Sequence, residues 1–327
     1  MIPVDFRPAP PPEPPKPSLT PEQIAHAYRK KVKGGRFPIK ELLRRMLNVQ
    51  SMPFPSVYKL IGTRKGRMVI AGGGPSAFDP ATVQWMKFCG LPICAINKTH
   101  DELIYKYNII PEYGMVTDPA PWCLGYQKPH PDVTYLLGSI VDTAVLVRHH
   151  SAGSKVFIFH PTSQIGEQEI LQLVDGAGEW MVVNGGPTCG SRSFFVFDQV
   201  GFDGYDLVGF DSCRHGRRLY TYDKTYLDRT QCYATVTTDN GGEVTFDTTS
   251  AMGYQAEWFL NFFKKAKECG IAKPAFRIHG RGIIPYFGEY MGCHASQVDA
   301  PVPLKDMTPE RILSLKLVHV DQHRIIA

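Results

Sequence analysis

No run in this 327-residue chain approaches the roughly 18 apolar residues that a membrane-spanning helix needs. Its opening stretch, MIPVDFRPAPPPEPPKPSL, also lacks the apolar core of a secretion signal, so a soluble cytoplasmic protein is expected. No C-x-x-C pair occurs among the cysteines at 89, 94, 123, 189, 213, 232, 269 and 293. That spacing argues against a structural zinc site, and without a secretion signal the thiols are expected to be reduced. Excess charge is scarce too. The net +5 is compatible with an anionic substrate or a polyanion, but too small to establish nucleic-acid binding. Both common phosphate fingerprints are missing: there is no Gly-Lys-Ser/Thr P-loop ending and no G-x-G-x-x-G spacing.

Residues 1–19 hold eight prolines and almost nothing that could pack, which reads as an extended arm. Residues 20–60 follow as an N-terminal helical segment. Thr20 stands at an N-cap position before Pro21, and PIKELLRRMLNVQ carries Leu42, Leu43, Met46 and Leu47 on one side. From residue 68 the texture changes. MVIAGGG, PICAIN, YGMVTD, SKVFIFH, WMVVNGG and YDLVGFD are short apolar runs, each ending in Gly, Asn, Asp or His. Helical or irregular connections separate most of them, as expected for buried parallel strands of an open α/β sheet with helices on both faces. The α/β domain is placed at 61–245. Residues 246–327 are read as a C-terminal helical and closing region packed on it, with a helix over 249–269 that buries Met252, Ala256, Phe259 and Phe263 on one face.

Such a sheet binds ligands outside the carboxyl ends of its strands. The residues expected there are Gly72, Gly73, Gly74, Pro75 and Ser76, then Asn97, Asp118, the segment Asn184–Gly186, and Asp211. Three glycines in VIAGGGPS allow close backbone approaches, and the N–H groups opening the next helix favour an anion. Gly186, Thr188, Gly190 and Ser191 suggest a second anion-accepting turn. Arg192 follows in the first turn of its helix, where the dipole does not favour a cation. Arg214, His215, Arg217 and Arg218 form a basic group that would stabilise phosphate, and His215 is a candidate base.

VIAGGGPS, ICAINKTHDELIYKYNIIPEYGMVTDP and GSRSFFVFDQVGFDGYDLVGFDSC resemble the DUF115, or MptE-like, family over 68–118 and 184–216, with FRIHGRGIIP as a closing segment. The family includes 6-hydroxymethylpterin diphosphokinases and proteins that accompany flagellin glycosylation. Its Gly-Pro-Ser turn is similar to the nucleotide-binding turn of bacterial sialyltransferases. The resemblance implies a Rossmann-like, glycosyltransferase-like sheet in which Gly72, Gly74, Pro75 and Ser76 shape a nucleotide pocket and Asn97 touches the nucleotide. Asp118 departs from the pattern, because the sialyltransferases tend to place an amide there, and this weakens a CMP-sugar reading. The expected activity is transfer of a sugar from a nucleotide-sugar donor to a hydroxyl acceptor. His215 is the first candidate base, His279 the second, and Asp211 a further catalytic candidate. The alternatives are ATP-dependent diphosphate transfer, with Mg²⁺ held by Asp118 and Asp211, and a nucleotide-binding module without turnover. The acceptor stays open among small molecule, protein, glycan and nucleic acid, and so does the oligomeric state.

Overall fold

The computed structural model describes residues 39–50, 52–162, 182–216, 218, 220, 231–307 and 315–321. The proline arm, the segment 20–38 and Arg217 lie outside these. In chain order the elements are α1 (Ile39–Gln50), β1 (Gly66–Ala71), α2 (Pro80–Phe88), β2 (Ile93–Ile96), α3 (Thr99–Tyr107), β3 (Tyr113–Val116) and β4 (Thr134–Gly138). They continue with α4 (Thr143–Ser151), β5 (Lys155–Thr162), β6 (Val182–Asn184), α5 (Cys189–Val200), β7 (Phe202–Val208), β8 (Gln231–Thr237) and β9 (Glu243–Thr249). The last are α6 (Ser250–Glu268), β10 (Ala275–Ile278), α7 (Ile283–Met291), β11 (Val302–Pro303) and β12 (Lys316–Asp321). The fold is α/β, with mostly parallel pairing and helices on both faces, as the strand-end pattern predicts. Among the described residues no helix is long and apolar enough to cross a membrane.

The chain divides into two compact units, Met1–Thr63 with Tyr113–Val200, and Arg64–Glu112 with Gly201–Ala327. In the second of these, β1 pairs in parallel with β2 on one side and β7 on the other, and β10 pairs in parallel with β7. Strand β11 closes that edge antiparallel to β10. The chain therefore moves one way from β1 to β2 and the opposite way from β7 to β10, so the order reverses between β1 and β7. A crevice at the carboxyl ends is expected at such a reversal. Alternation along β1 puts Val69 and Ala71 in a buried cluster with Met86 of α2, Leu103 of α3 and Val208 of β7. Helix α3 stops at Asn108, whose left-handed backbone (φ 52°) suits an asparagine.

The same unit carries an antiparallel sheet of β12, β8 and β9. Helix α6 begins at Thr249, whose hydroxyl accepts from the Met252 N–H. Its buried Phe259, Phe262 and Phe263 surround Phe276 of β10, with ring centroids 5.2 Å apart for Phe263 and Phe276. The expected aromatic stripe is thus core, with Met252 half-buried at its start.

In the other unit β3, β4, β5 and β6 run in parallel. Tyr113 of β3 packs edge-on to Phe197 of α5, with centroids 5.1 Å apart. Arg45 of α1 is buried. Its guanidinium donates to Glu41 (2.8 Å), to the carbonyls of Pro119 and Ile140 (2.5 and 3.1 Å), and to Asp142 (2.9 Å). One side chain so ties α1 to the loops that follow β3 and β4.

Candidate functional site

Three loops interlock at the carboxyl ends of β1, β7 and β10. The N–H groups of Gly72 and Gly74 donate to the carbonyls of Val208 (2.8 Å) and Gly209 (2.9 Å). A Cβ on Gly74 would lie 2.6 Å from the Gly209 oxygen and 2.8 Å from Asp211 Cγ, so glycine is required by the close passage of the two loops. The Ser76 N–H donates to Asp211 Oδ2 at 2.9 Å, and the Ser76 hydroxyl donates to Asp211 Oδ1. From the third loop, the Ile283 N–H that opens α7 donates to the Asp211 carbonyl at 2.8 Å. Ser212 follows Asp211 with left-handed backbone (φ 53°) and a buried hydroxyl. The anion at the Gly72–Ser76 turn is thus the protein's own Asp211 carboxylate.

Asp211 is only 1% exposed. Burial pushes its carboxyl up to about 6, against the opposing hydrogen bonds from Ser76 and the charge of His215. His215 Nε2 lies 3.5 Å from Asp211 Oδ2 and 3.1 Å from the Arg281 carbonyl. An N–H on Nε2 donating to that carbonyl leaves Nδ1 as the nitrogen with a free lone pair. Paired backbone hydrogen bonds between His215 and Arg218, across Gly216, hold this loop closed on itself.

Outside this knot lies an open cleft of about 430 Å³, lined by Pro75, Phe78, Asp79, Lys106, Tyr107, His215, Arg218 and Arg281. The Phe78 and Tyr107 rings are stacked, 5.3 Å between centroids and 23° apart in plane. Lys106 Nζ lies 5.3 Å from the Tyr107 centroid, and the Arg281 guanidinium lies 3.5 Å from Asp79. Three permanent cations and a histidine thus face one carboxylate. Of these residues the sequence reading named Pro75, His215 and Arg218. Lys106, Tyr107, Phe78, Asp79 and Arg281 were not singled out, because only the strand order brings them together.

His279 is placed differently. It is buried at the end of β10, with Nε2 2.8 Å from Asp206 Oδ1 and its ring 4.3 Å from that of Trp85. Burial lowers its affinity for a proton more than Asp206 raises it. Asp206, fully buried in β7, also accepts from Arg67 (2.8 Å) and Arg277. Burial works against its charge, but the hydrogen bonds from His279 and Arg67 and the charge of Arg277 outweigh that, so it titrates below the usual carboxylate range. His279 does not line the cleft. Asn97 stands at the carboxyl end of β2 with left-handed backbone (φ 52°), also outside the lining residues.

The remaining candidates belong to the other unit. Asp118 Oδ1 accepts from the Ala120 N–H (2.9 Å), which shapes the turn after β3. Thr188 and Ser191 cap the start of α5 reciprocally. Ser191 Oγ accepts from the Thr188 N–H (3.0 Å), and Thr188 Oγ1 from the Ser191 N–H (3.2 Å). A side chain at Gly186 would collide with Ser191, and Arg192 Nε donates to the Gly186 carbonyl at 3.0 Å. That contact gives Arg192 a reason to stand at a helix start, while Gly190 is buried in the first turn. None of the eight cysteines forms a disulfide. Burial pushes the thiols of Cys189, Cys213 and Cys293 up to about 12, which suits packing and not reactivity.

Mg²⁺ favours about six oxygen ligands, commonly one or two carboxylates with substrate phosphates. Among the described residues no three His, Cys, Asp or Glu side chains gather closely enough to hold a metal ion. Both oxygens of Asp211 accept from Ser76, and Asp118, the other carboxylate expected to hold the ion, belongs to the other unit.

No protein-family model matches the chain, and no curated protein matches it in sequence. Among solved structures it is similar to the MAf glycosyltransferase from Magnetospirillum magneticum AMB-1, at 14% identity and a TM-score of 0.44 over 67% of this chain and 34% of that one. It is also similar to a mammalian sialyltransferase in complex with Gal-β-1-3GalNAc-ortho-nitrophenol (12% identity, TM-score 0.33, 63% of this chain and 77% of that one). A further mammalian sialyltransferase structure matches at 11% identity and a TM-score of 0.30, over 66% and 91% of the two chains. The chain spans about a third of the length of the MAf glycosyltransferase. These likenesses are distant.

Proposed function

We propose that the chain is a glycosyltransferase that binds a nucleotide-sugar donor in the cleft beside β1 and β7 and passes the sugar to a hydroxyl acceptor. The observation that carries this reading is the lining of the cleft. Lys106, Arg218 and Arg281 line it together with a stacked Phe78–Tyr107 pair, near the reversal of the strand order. Cations favour phosphate and aromatic rings favour a planar base, and the volume lies within the ordinary range for ligand pockets. His215 Nδ1 takes the proton of the acceptor hydroxyl, and that oxygen attacks the anomeric carbon. The bond from that carbon to the phosphate oxygen breaks, and its electron pair leaves on the phosphate beside the three cations.

A thermal-shift panel of nucleotides and nucleotide sugars, with and without Mg²⁺, tests the reading. A ligand at 100 times its Kd stabilises by about 2.7 kcal/mol, so a true donor raises the melting temperature clearly. That rise should shrink in Lys106→Ala and Arg281→Ala, and His215→Gln should keep it while losing roughly 10²- to 10⁴-fold in turnover. If ATP with Mg²⁺ stabilises the protein and no nucleotide sugar does, diphosphate transfer is the better reading.

A further inference from the structure

A buried carboxylate needs a reason when an amide would fit. Asp211 ties the β1 and β7 loops through the Ser76 N–H and hydroxyl. An asparagine could make the same ties, accepting from the N–H through its oxygen and donating to the hydroxyl through its nitrogen. It would do so without taking a charge out of water, a large cost for an isolated group. What the carboxylate adds is its charge, and the ionisable partner within reach on its own loop is His215, with Nε2 3.5 Å from Oδ2. Ser76 fixes both oxygens, so the carboxylate cannot rotate away from that nitrogen. The neighbouring loops also exclude bulk, since a side chain at Gly280 would strike Ser76 and one at Gly282 would come within 2.9 Å of Cys213 Sγ.

We infer that Asp211 is a positioning residue for His215: held by Ser76, its carboxylate faces the imidazole Nε2 and stabilises the imidazolium formed when Nδ1 takes the acceptor's proton. This rests on the reading of His215 as the base. The Arg281 carbonyl fixes the tautomer, and Asp211 supplies the countercharge. The atoms balance simply: the acceptor O–H breaks, an N–H forms at Nδ1, and the O–H electron pair stays on the attacking oxygen. Asp211 itself gains no proton. Among the described residues, the charged groups that line the cleft with the imidazole are Asp79, Lys106, Arg218 and Arg281. Asp211 itself senses Asp79 and His215, and it lies beside the buried thiol of Cys213.

The test is a carboxyl carbon NMR titration of aspartate-labelled protein, with the Asp211 signal assigned by its loss in Asp211→Asn. In His215→Gln the Asp211 midpoint should rise, because the charge of His215 holds it down against burial. Turnover of a donor should fall in Asp211→Asn by roughly tenfold, with donor KM unchanged. An unchanged Asp211 midpoint in His215→Gln, with full turnover in Asp211→Asn, would overturn the positioning role while leaving His215-dependent transfer intact. A shifted midpoint without sugar transfer to any acceptor would instead overturn the reading of His215 as a base, and the positioning role with it.

Discussion

Replacing Asp211 by asparagine should stabilise the folded protein near neutral pH, although it removes a charged hydrogen-bonded residue from the site. Burial raises the folded carboxyl to about 6, against 3.8 for an ordinary aspartate. Below about pH 4 the residue is protonated in both states and costs nothing. Between about pH 4 and 6 the unfolded chain ionises while the folded one stays protonated, so stability falls as pH rises. Above that range both are ionised and the loss is complete. A difference of about two pH units corresponds to about 3 kcal/mol. Asparagine never ionises and keeps the ties to Ser76. The two proteins should therefore match near pH 4 and diverge towards pH 8, where the variant is more stable by up to about 3 kcal/mol. Urea denaturation at half-unit pH steps and fixed salt reads this, and groups other than the Asp211–His215 pair largely cancel in the difference. A variant less stable than the wild type at pH 8 would refute the reasoning. The ties between Ser76 and the ionised carboxylate would then exceed the cost of its burial.

Asp206 should behave in the opposite sense, because its folded carboxyl titrates below the usual range. Its contribution is present above about pH 4 and is lost as the pH falls through the folded value. Asp206→Asn should thus be less stable than the wild type at pH 7 and show a flatter acid limb; a variant as stable as the wild type would refute this. Arg45→Met should cost about 3 kcal/mol or more in denaturant unfolding, since it strands Asp142 and two backbone carbonyls. A loss under about 1 kcal/mol would mean that water replaces the guanidinium there.

Much of the sheet was legible because a buried strand that ends in a turn leaves a short apolar run capped by a polar residue or glycine. Strands β1, β2, β3, β5, β6 and β7 all overlap such runs. Strand β4 lies outside these runs although TYLLG has the same character; it follows closely on Pro129 and Pro131. The β8–β9 hairpin lies outside them too. Buried Cys232, Ala234 and Val236 alternate with more exposed neighbours, and Asp239, Asn240 and Gly241 mark the turn, so period-two alternation was there to be read. The cleft was less legible for a different reason. Lys106 and Tyr107 end a helix, Phe78 and Asp79 close a short turn, and Arg281 sits between two glycines. Nothing local joins them; the pairing of β10, β7, β1 and β2 does.

The three glycines of VIAGGGPS illustrate how a sound local inference can be satisfied from within. Glycine-rich turns followed by exposed N–H groups favour an anion, and one is present. It is a carboxylate sent from the β7 loop, reached because Gly72 and Gly74 let that loop pass without side-chain contact. Two N–H groups of the turn, those of Gly72 and Gly74, are committed to carbonyls of the same loop, and that of Ser76 to Asp211. A phosphate bound in the cleft would therefore draw its stabilisation mainly from side-chain cations on separate elements. On the proposed reading the turn's task is one of alignment: Ser76 holds Asp211, whose carboxylate lies 3.5 Å from His215 Nε2, and His215 lines the cleft together with Arg218 and Arg281. A buried charge raised in pKa by its burial, next to the histidine that lines the cleft among the described residues, is what that reading expects of a working site.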